Sequence, residues 1–388
     1  MRPFLCIALL ISICLISGCW DRKEINDLAF ITGAAGDIAD DGELIVSFQI
    51  AIPAAEGKGG GGGQQKKFFM ISAKGKNVTE ILQKLQKKTS RMLFTAHRSV
   101  VFISERLAKH GIEEVLDIFT HDPRNRLRTY MMVVKGRDAR DILQAQYPFE
   151  QVSIEAVKEM EILGSESSVT IRDFFLAAAS EGISPIMGVI ELEDRGQALQ
   201  GGNKFKLAGT AVFKEYKLAG ILNDEETTGY LWVKNGMKFC RVSTDLQENG
   251  GNVGVLFTHL KGSMTPDFSG EQVKLKLQLK GMGSLIENNT PLDVRQKANL
   301  KVIERALEKS LKQQVKEAVL KVQEHYQTDS FGFGQAIYRN NPKAWKKLKG
   351  SWETIYPNID VAIDVNLTIS ESGMTGPPLQ MTEEEIQK

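Results

Sequence analysis

The stretch VKLKLQLKG at residues 273–281 alternates apolar and polar side chains. A period of two is typical of a β-strand with one buried face and one face in water. In residues 292–326 the apolar residues recur every three or four positions, which predicts the longest helix of the chain. Since this apolar stripe is about as wide as one sheet, we expect the helix to pack on the strand face that carries Leu275. The stripe comprises Leu300, Ile303, Leu307, Leu311, Val315, Ala318 and Val322.

Further strand-like runs surround this pair of elements and complete a predicted C-terminal α+β domain over residues 205–373. The last run, NIDVAIDVNLTI, again alternates with a period of two. Residues 374–388 are rich in Gly, Pro and acidic residues, so we expect a flexible tail there. The runs lie at residues 206–213, 217–222, 227–233, 239–242 and 358–369.

Residues 19–147 are predicted to form a separate N-terminal domain. Residues 28–52 are typical of a hairpin with its turn at Asp40-Asp41-Gly42, and Asn77 opens a helix. The runs of this domain give the order βββαβααβα. That order lacks the regular alternation of a doubly wound sheet, so it indicates an α+β fold with mixed or antiparallel sheets and packed helices. The glycine run at residues 57–65 predicts a flexible loop.

The two domains are separated by a predicted small module at residues 148–196. One short helix is expected within it, around residues 172–180. Residues 197–204 are polar and glycine-rich, which is typical of a linker. A chain of 388 residues is long enough for such a multi-domain arrangement, at roughly 100–200 residues per domain.

The composition is that of an ordinary globular protein. Hydrophobic residues make up 42% and charged residues 25%, which excludes a collagen-like, a purely coiled-coil or a wholly disordered chain. The 49 Lys and Arg residues nearly balance the 48 Asp and Glu residues, for a net charge of +1. Because affinity for nucleic acid depends on surplus positive charge, we expect no nucleic-acid partner.

Residues 1–18 are typical of a lipoprotein signal peptide. Arg2 supplies a short positive region, and the apolar run at residues 4–16 is shorter than the roughly 20 residues of a membrane-spanning helix. The following Ile16-Ser17-Gly18-Cys19 matches a bacterial lipobox. We therefore predict cleavage between Gly18 and Cys19, with S-diacylglycerol and N-acyl groups on Cys19. Two acyl chains suffice for stable anchoring in membrane lipid. An ordinary cleavage site with a chance cysteine is the alternative.

The sequence carries no recognised catalytic, metal or cofactor motif. H-E-x-x-H, G-x-S-x-G and S-x-x-K are absent, and neither Gly57-Lys58 nor Gly75-Lys76 continues into a phosphate-binding loop. The five histidines show no metal-ligand spacing. We therefore expect a protein that is not an enzyme and that has no catalytic residues, metal ligands or cofactor. A hydrolase with two carboxylates far apart in the sequence is the alternative.

Three other features allow two interpretations each. Cys240 lies in a strand-like run and is interpreted as a small buried residue rather than a reactive thiol. The motif FGFG at residues 331–334 follows the long helix and is interpreted first as a helix stop with packed aromatic rings, and second as a contact loop. Trp232, Trp345 and Trp352 are interpreted first as core residues and second as residues of an interface.

A basic face runs along the predicted long helix. It is interpreted as a solvated surface, and contact with acidic lipid or an acidic partner is the alternative. Its members are Lys297, Lys301, Arg305 and Lys309.

The residues after the lipobox resemble a known family. CWDRKEINDL at residues 19–28 resembles the opening of the Ger(x)C family, the lipoprotein C subunits of spore germinant receptors. TAHRSVVFI at residues 95–103 is similar to the central strand of the family's N-terminal domain, and LAKHGI follows it. GTAVFK at residues 209–214, DSFGFG at residues 329–334 and PKAWK at residues 342–346 resemble parts of its C-terminal domain. The resemblance covers about residues 19–375.

This resemblance implies a three-module α+β protein without catalytic activity. It implies a complex with a multi-pass membrane subunit and with a subunit that bears a large soluble domain. The protein would be anchored through Cys19 at the outer face of the cytoplasmic membrane, which is the inner membrane of the spore. The complex would respond to small nutrients and start germination.

Two other classes of protein are alternatives. The first is a solute-binding lipoprotein of a transporter, which usually has two doubly wound lobes around a cleft. The long antiparallel-looking stretches and the single dominant helix disfavour this class. The second is an exported cell-wall hydrolase.

Overall fold

The computed structural model describes residues 24–52, 67–145, 150, 153–163, 167–193, 204–246, 250–270 and 273–371. Within these residues the strands form two sheets, one of nine strands and one of four. The predicted leader with Gly18 and Cys19, the glycine run at 57–65 and the tail at 374–388 lie outside the described residues, as does most of the predicted linker at 197–204.

The larger sheet is mixed. Its path is β3-β2-β1-β5-β6-β7-β8-β9, and the short β4 pairs with β1. The four central strands β1, β5, β6 and β7 run parallel, and the flanking strands add antiparallel hairpins on both sides. The strands are β1 (Leu28–Ile38), β2 (Leu44–Ala51), β3 (Phe68–Gly75), β4 (Met92–Phe94), β5 (Val100–Ser104), β6 (Tyr130–Val134), β7 (Ile186–Leu192), β8 (Phe205–Lys214) and β9 (Lys217–Leu222).

Helices cover the two faces of this sheet and bury two separate hydrophobic clusters. One cluster contains Ile81 of α1 and Leu116 of α3, and the other contains Ile142 of α4 and Ile154 of α5. The helices are α1 (Val78–Gln86), α2 (Glu105–His110), α3 (Glu113–His121), α4 (Ala139–Gln144), α5 (Ser153–Leu163) and α6 (Ile171–Ala178).

The smaller sheet confirms the packing expected from the alternating strand. Its order is β10-β11-β12-β13, with β12 and β13 parallel and the other pairs antiparallel. Leu275 of β12 and Leu307 of the long helix α8 are fully buried in one core. The elements are β10 (Cys240–Asp245), β11 (Asn252–Asp267), β12 (Lys274–Asn288), α8 (Lys297–Leu320) and β13 (Val361–Glu371). The fold is therefore mixed, with packed helices and one long helix on a sheet, as predicted.

The end of α8 widens into a π-helical turn at Lys321–His325, and three short helices then lead to β13. They are α9 (Phe333–Asn340), α10 (Pro342–Leu348) and α11 (Trp352–Ile355).

The edge strand β13 is fastened to the long helix by two glutamates. Oε1 of Glu304 accepts a hydrogen bond from the backbone N–H of Ile369, and Oε1 of Glu308 accepts one from that of Leu367, both at 2.9 Å. Side chains of α8 therefore bind backbone groups of the last strand as well as the sheet face.

One prediction was wrong: residues 227–233 form part of a helix, α7 (Asp224–Lys234), and not a strand. The Asn223 side chain accepts a hydrogen bond from the backbone N–H of Glu226, and the Glu226 carboxylate accepts one from the N–H of Asn223. This capping box starts the helix. Most of α7 from Thr227 to Val233 is buried, so the helix lacks the polar face that would have revealed its period.

The predicted middle module holds two helices, α5 and α6, where one was expected. Its strand β7 pairs with β6 on one side and with β8 on the other. The larger sheet thus includes strands from both sides of residues 197–204. The division of the chain into modules stays a prediction.

Candidate functional site

Gly18 and Cys19, the residues predicted for cleavage and lipidation, lie outside the described residues and stay a prediction. Within the described ranges, no group of three or more His, Cys, Asp and Glu side chains could hold a metal ion. In the same ranges, none of the helices combines the length and the apolar character required to cross a membrane.

One cavity lies on the face of the larger sheet that α1 and α3 cover. Its volume is about 500 Å³. The sheet contributes Phe48 and Val101 to the wall, and the segment around β4 closes one side. Most of the other wall residues are apolar; they include Val78, Leu82, Leu93, Val115, Ile118 and Phe119.

Arg98 brings a positive charge into this apolar wall. It precedes β5, and only 7% of its surface is exposed. Its guanidinium lies 4.8 Å from the centre of the Phe119 ring, and Nη2 donates a hydrogen bond to Oδ1 of Asn125 at 3.2 Å. The buried Nε–H has no acceptor. Burial lowers the pKa of Arg98 to about 10, so the group remains charged at neutral pH.

The acidic residue nearest to this charge is already engaged. Asp122 also lines the cavity, but its carboxylate accepts hydrogen bonds from Nε and Nη2 of Arg124 at 2.9 and 2.8 Å. These bonds lower the pKa of Asp122. No carboxylate of the described residues lies within 4 Å of the Arg98 guanidinium. The cavity therefore holds one buried cation that is attracted by Asp122 through space but forms no ion pair with a described carboxylate.

A second polar centre lies beyond the long helix, in the motif at residues 329–334. Oδ1 of Asp329 accepts hydrogen bonds from the N–H groups of Gly332 and Phe333 at 2.8 and 2.9 Å. Oδ2 accepts from the N–H of Gly334 at 2.7 Å and from the indole N–H of Trp352 at 3.1 Å. Burial raises the pKa of Asp329 to about 6, and the four donors oppose that rise. The side chain is thus mainly ionised at neutral pH.

Asp329 also joins the two parts of the fold. Its backbone carbonyl accepts a hydrogen bond from the N–H of Ser184, just before β7, at 2.7 Å. Gly182 has a φ of +71°, and a Cβ there would lie 2.4 Å from the carbonyl carbon of Gly334. Side chains are excluded from this close crossing, so the backbones meet directly. The Asp329 carboxylate therefore holds the backbone of this turn through its hydrogen bonds.

The aromatic residues of the motif and the three tryptophans are core residues, as interpreted first. Phe331 and Phe333 are buried, with their ring centres 5.6 Å apart. Trp232, Trp345 and Trp352 are 1%, 4% and 8% exposed. The basic face of α8 is exposed, and one of its members, Lys301, pairs with Glu304 at 2.6 Å.

Cys240 is buried, and burial raises the pKa of its thiol to about 11. Since the thiolate is the reactive form, we expect Cys240 to resist a thiol reagent at pH 8 in the folded chain from residue 19 onwards that carries Cys19→Ala. Ellman's reagent should titrate one thiol per chain only after denaturant is added. Rapid labelling without denaturant would contradict the buried interpretation.

Neither Arg98 nor Asp329 was identified as a site from the sequence. Arg98 stands at the start of an apolar run, where its burial depends on helices distant in the chain. The sequence around Asp329 contains a weak indication of its role, because an Asp three residues before a Gly often binds backbone N–H groups of its own turn.

The mixed nine-stranded sheet and the helix-covered four-stranded sheet define a two-sheet α+β protein. Residues 21–192 match the family described as "Spore germination protein N-terminal domain", and residues 208–373 match "Spore germination B3/ GerAC like, C-terminal". The chain belongs to the Ger(x)C family of spore germination proteins.

Individual relatives agree with this assignment. The chain is 30% identical over 373 residues to the putative spore germination protein YfkR of Bacillus subtilis (strain 168), covering 95% of this chain and 96% of YfkR. It is 27% identical to spore germination protein KC of the same organism, covering 98% of each chain. The crystal structure of the GerBC protein superposes with a TM-score of 0.56 at 20% identity, covering 90% of this chain and 100% of that one, and shows the same fold.

Proposed function

We propose that this chain is a non-catalytic, lipid-anchored subunit of a nutrient germinant receptor. The observation that carries the proposal is the match of both family domains, which together span most of residues 21–373. Named spore germination proteins are similar to the chain over nearly its whole length. The subunit acts in assembly or response of the complex that triggers germination.

The proposed location is the outer face of the spore inner membrane. Cys19 precedes the first described residue, Glu24, by five positions. Five residues of extended chain span at most about 18 Å. A lipid on Cys19 would therefore hold the start of β1, at Leu28, close to the membrane surface. Such confinement raises the effective concentration of the domain for membrane-embedded partners.

The proposed partners are a multi-pass membrane subunit and a subunit with a large soluble domain. Affinity purification of the tagged chain from detergent-solubilised spore membranes tests this, with partners identified by mass spectrometry. We expect both types of subunit to be recovered. Recovery of a transporter permease and ATPase instead would replace the proposal with the solute-binding alternative. The larger sheet, with antiparallel hairpins at both sides, disfavours that alternative.

Replacement of the lipidated residue tests the anchor. We expect Cys19→Ala to leave the domain folded and to move it from the membrane pellet to the soluble fraction, because the acyl chains have no other attachment site. The measurement is sedimentation of membranes followed by a salt wash and immunoblotting. Cys240→Ala is the matched control, and it should stay in the pellet. If the Cys19→Ala chain still sediments after the wash, the lipid does not account for membrane association.

A further inference from the structure

The cavity beneath α1 and α3 has the dimensions and the wall of a small-molecule site. Its volume of about 500 Å³ lies within the roughly 300–1,000 Å³ common for such sites. Leu82, Val115 and Phe119 give it an apolar surface. Sites of this kind usually add a few polar groups that fix the orientation of the ligand. Arg98 is in a position to be such a group.

The charge of Arg98 is not neutralised by its protein contacts. Asn125 supplies one amide oxygen and Phe119 supplies a ring face, and neither carries a negative charge. Asp122, the acidic residue of the wall, is held by Arg124. A buried charge without a counter-charge costs free energy, and buried charges are therefore normally paired. Asp122 attracts Arg98 only through space, and the unpaired Nε–H shows that the hydrogen-bonding capacity of the guanidinium is not fully used. Together these observations point to an anion that would pair directly with Arg98.

The site fits one negative charge and not more. Arg98 is the cation buried in the described wall, and Arg124, with 76% of its side chain exposed, is occupied by Asp122. A phosphate dianion would need further donors. A carboxylate matches a guanidinium in charge and geometry.

We propose that this cavity binds a small free monocarboxylate with an apolar body, such as a short aliphatic or aryl-substituted acid. The carboxylate pairs with the guanidinium of Arg98, and the apolar body lies against Leu82, Val115 and Phe119. The inference goes beyond the proposed receptor role and does not depend on it, because binding is measured on the isolated chain.

The test uses the chain from residue 19 onwards, carrying Cys19→Ala, with hexanoate and phenylacetate as probes. Calorimetry measures affinity, and methyl NMR spectra show whether Val115 and Ile118 respond. We expect both acids to bind and 1-hexanol to bind more weakly. Acetate, which lacks an apolar body, should not bind measurably. Arg98→Met should weaken hexanoate binding about 10- to 100-fold and leave hexanol binding unchanged, since only the acid uses the guanidinium.

Arg106→Met is the matched control, because Arg106 is an exposed arginine that pairs with Asp40 outside the cavity. It should bind hexanoate like the parent chain. Arg98→Lys serves as a second variant, retaining the charge, if Arg98→Met fails to fold by circular dichroism; it should weaken hexanoate binding and leave hexanol binding unchanged. Equal hexanoate affinity in the parent chain and the folded Arg98 variant overturns the proposal, as does the absence of shifts at Val115 and Ile118. Arg98-dependent binding of phosphatidylglycerol vesicles without binding of either acid would also overturn it, in favour of a lipid headgroup.

Discussion

Asp329→Ala is expected to lower the free energy of unfolding by about 4 kcal/mol or more. The substitution leaves the N–H groups of Gly332, Phe333 and Gly334 and the indole N–H of Trp352 without their acceptor in a buried site. Each buried donor without a partner costs about 1–3 kcal/mol, and relaxation of the loop recovers part of the sum. Urea denaturation followed by circular dichroism measures the loss.

Asp360→Ala is the matched control for this substitution. Its carboxylate is 65% exposed and pairs with Lys274 at 3.0 Å on the surface. Such a pair contributes about 0–1 kcal/mol, so the control should unfold nearly like the parent. Asp329→Asn should fall between the two, because its amide keeps one acceptor oxygen and turns an N–H₂ group toward donors. A loss below about 1 kcal/mol for Asp329→Ala would show that the carboxylate is not the centre of this loop.

Trp232→Ala is expected to cost about 3–5 kcal/mol, the usual range for removing a buried aromatic side chain. The indole is 1% exposed and packs edge-on against Phe257 of β11, with the ring centres 5.6 Å apart. Truncation would open a cavity between α7 and the smaller sheet. A Cβ on Gly281 would lie 2.8 Å from the Trp232 ring, so the neighbouring strand already lies close to it. Thermal or urea unfolding measures the change.

Two further variants distinguish cavity formation from loss of a hydrogen bond. The indole N–H of Trp232 has no acceptor, so Trp232→Phe should cost clearly less than Trp232→Ala. Tyr338→Ala removes an aromatic ring that is 47% exposed on α9, and we expect a change within about 0.5 kcal/mol. Similar stability of Trp232→Ala and Tyr338→Ala would contradict a core role for Trp232.

Local periodicity was enough to predict part of the fold. The alternation around Leu275 and the stripe of α8 predicted a helix on a sheet, since both patterns record which side chains are buried. The hairpin at residues 28–52 was also confirmed, with β1 and β2 antiparallel. Gly42 closes its turn with a φ of +82°.

The rest of the fold and the candidate site depend on contacts between residues that lie far apart in the sequence. The helix α7 is buried around most of its circumference, so its pattern lacked a polar face. The pairing of β7 with β8 crosses the predicted linker at residues 197–204, and no local pattern encodes which strands become neighbours. Arg98 has the same limitation, because its burial results from α3 packing over the sheet. The lipobox could be proposed from sequence because signal peptides are recognised as linear motifs.

The glutamates of α8 have a consequence for self-association. A free strand edge presents backbone groups that can recruit a strand from another molecule, and proteins crowded in two dimensions meet such edges often. In β13 the N–H groups of Leu367 and Ile369 are already occupied by Glu308 and Glu304. A neighbouring copy therefore cannot extend the smaller sheet at these positions without displacing two carboxylates. The long helix thus protects the edge of β13 from pairing with a strand of another copy of the chain.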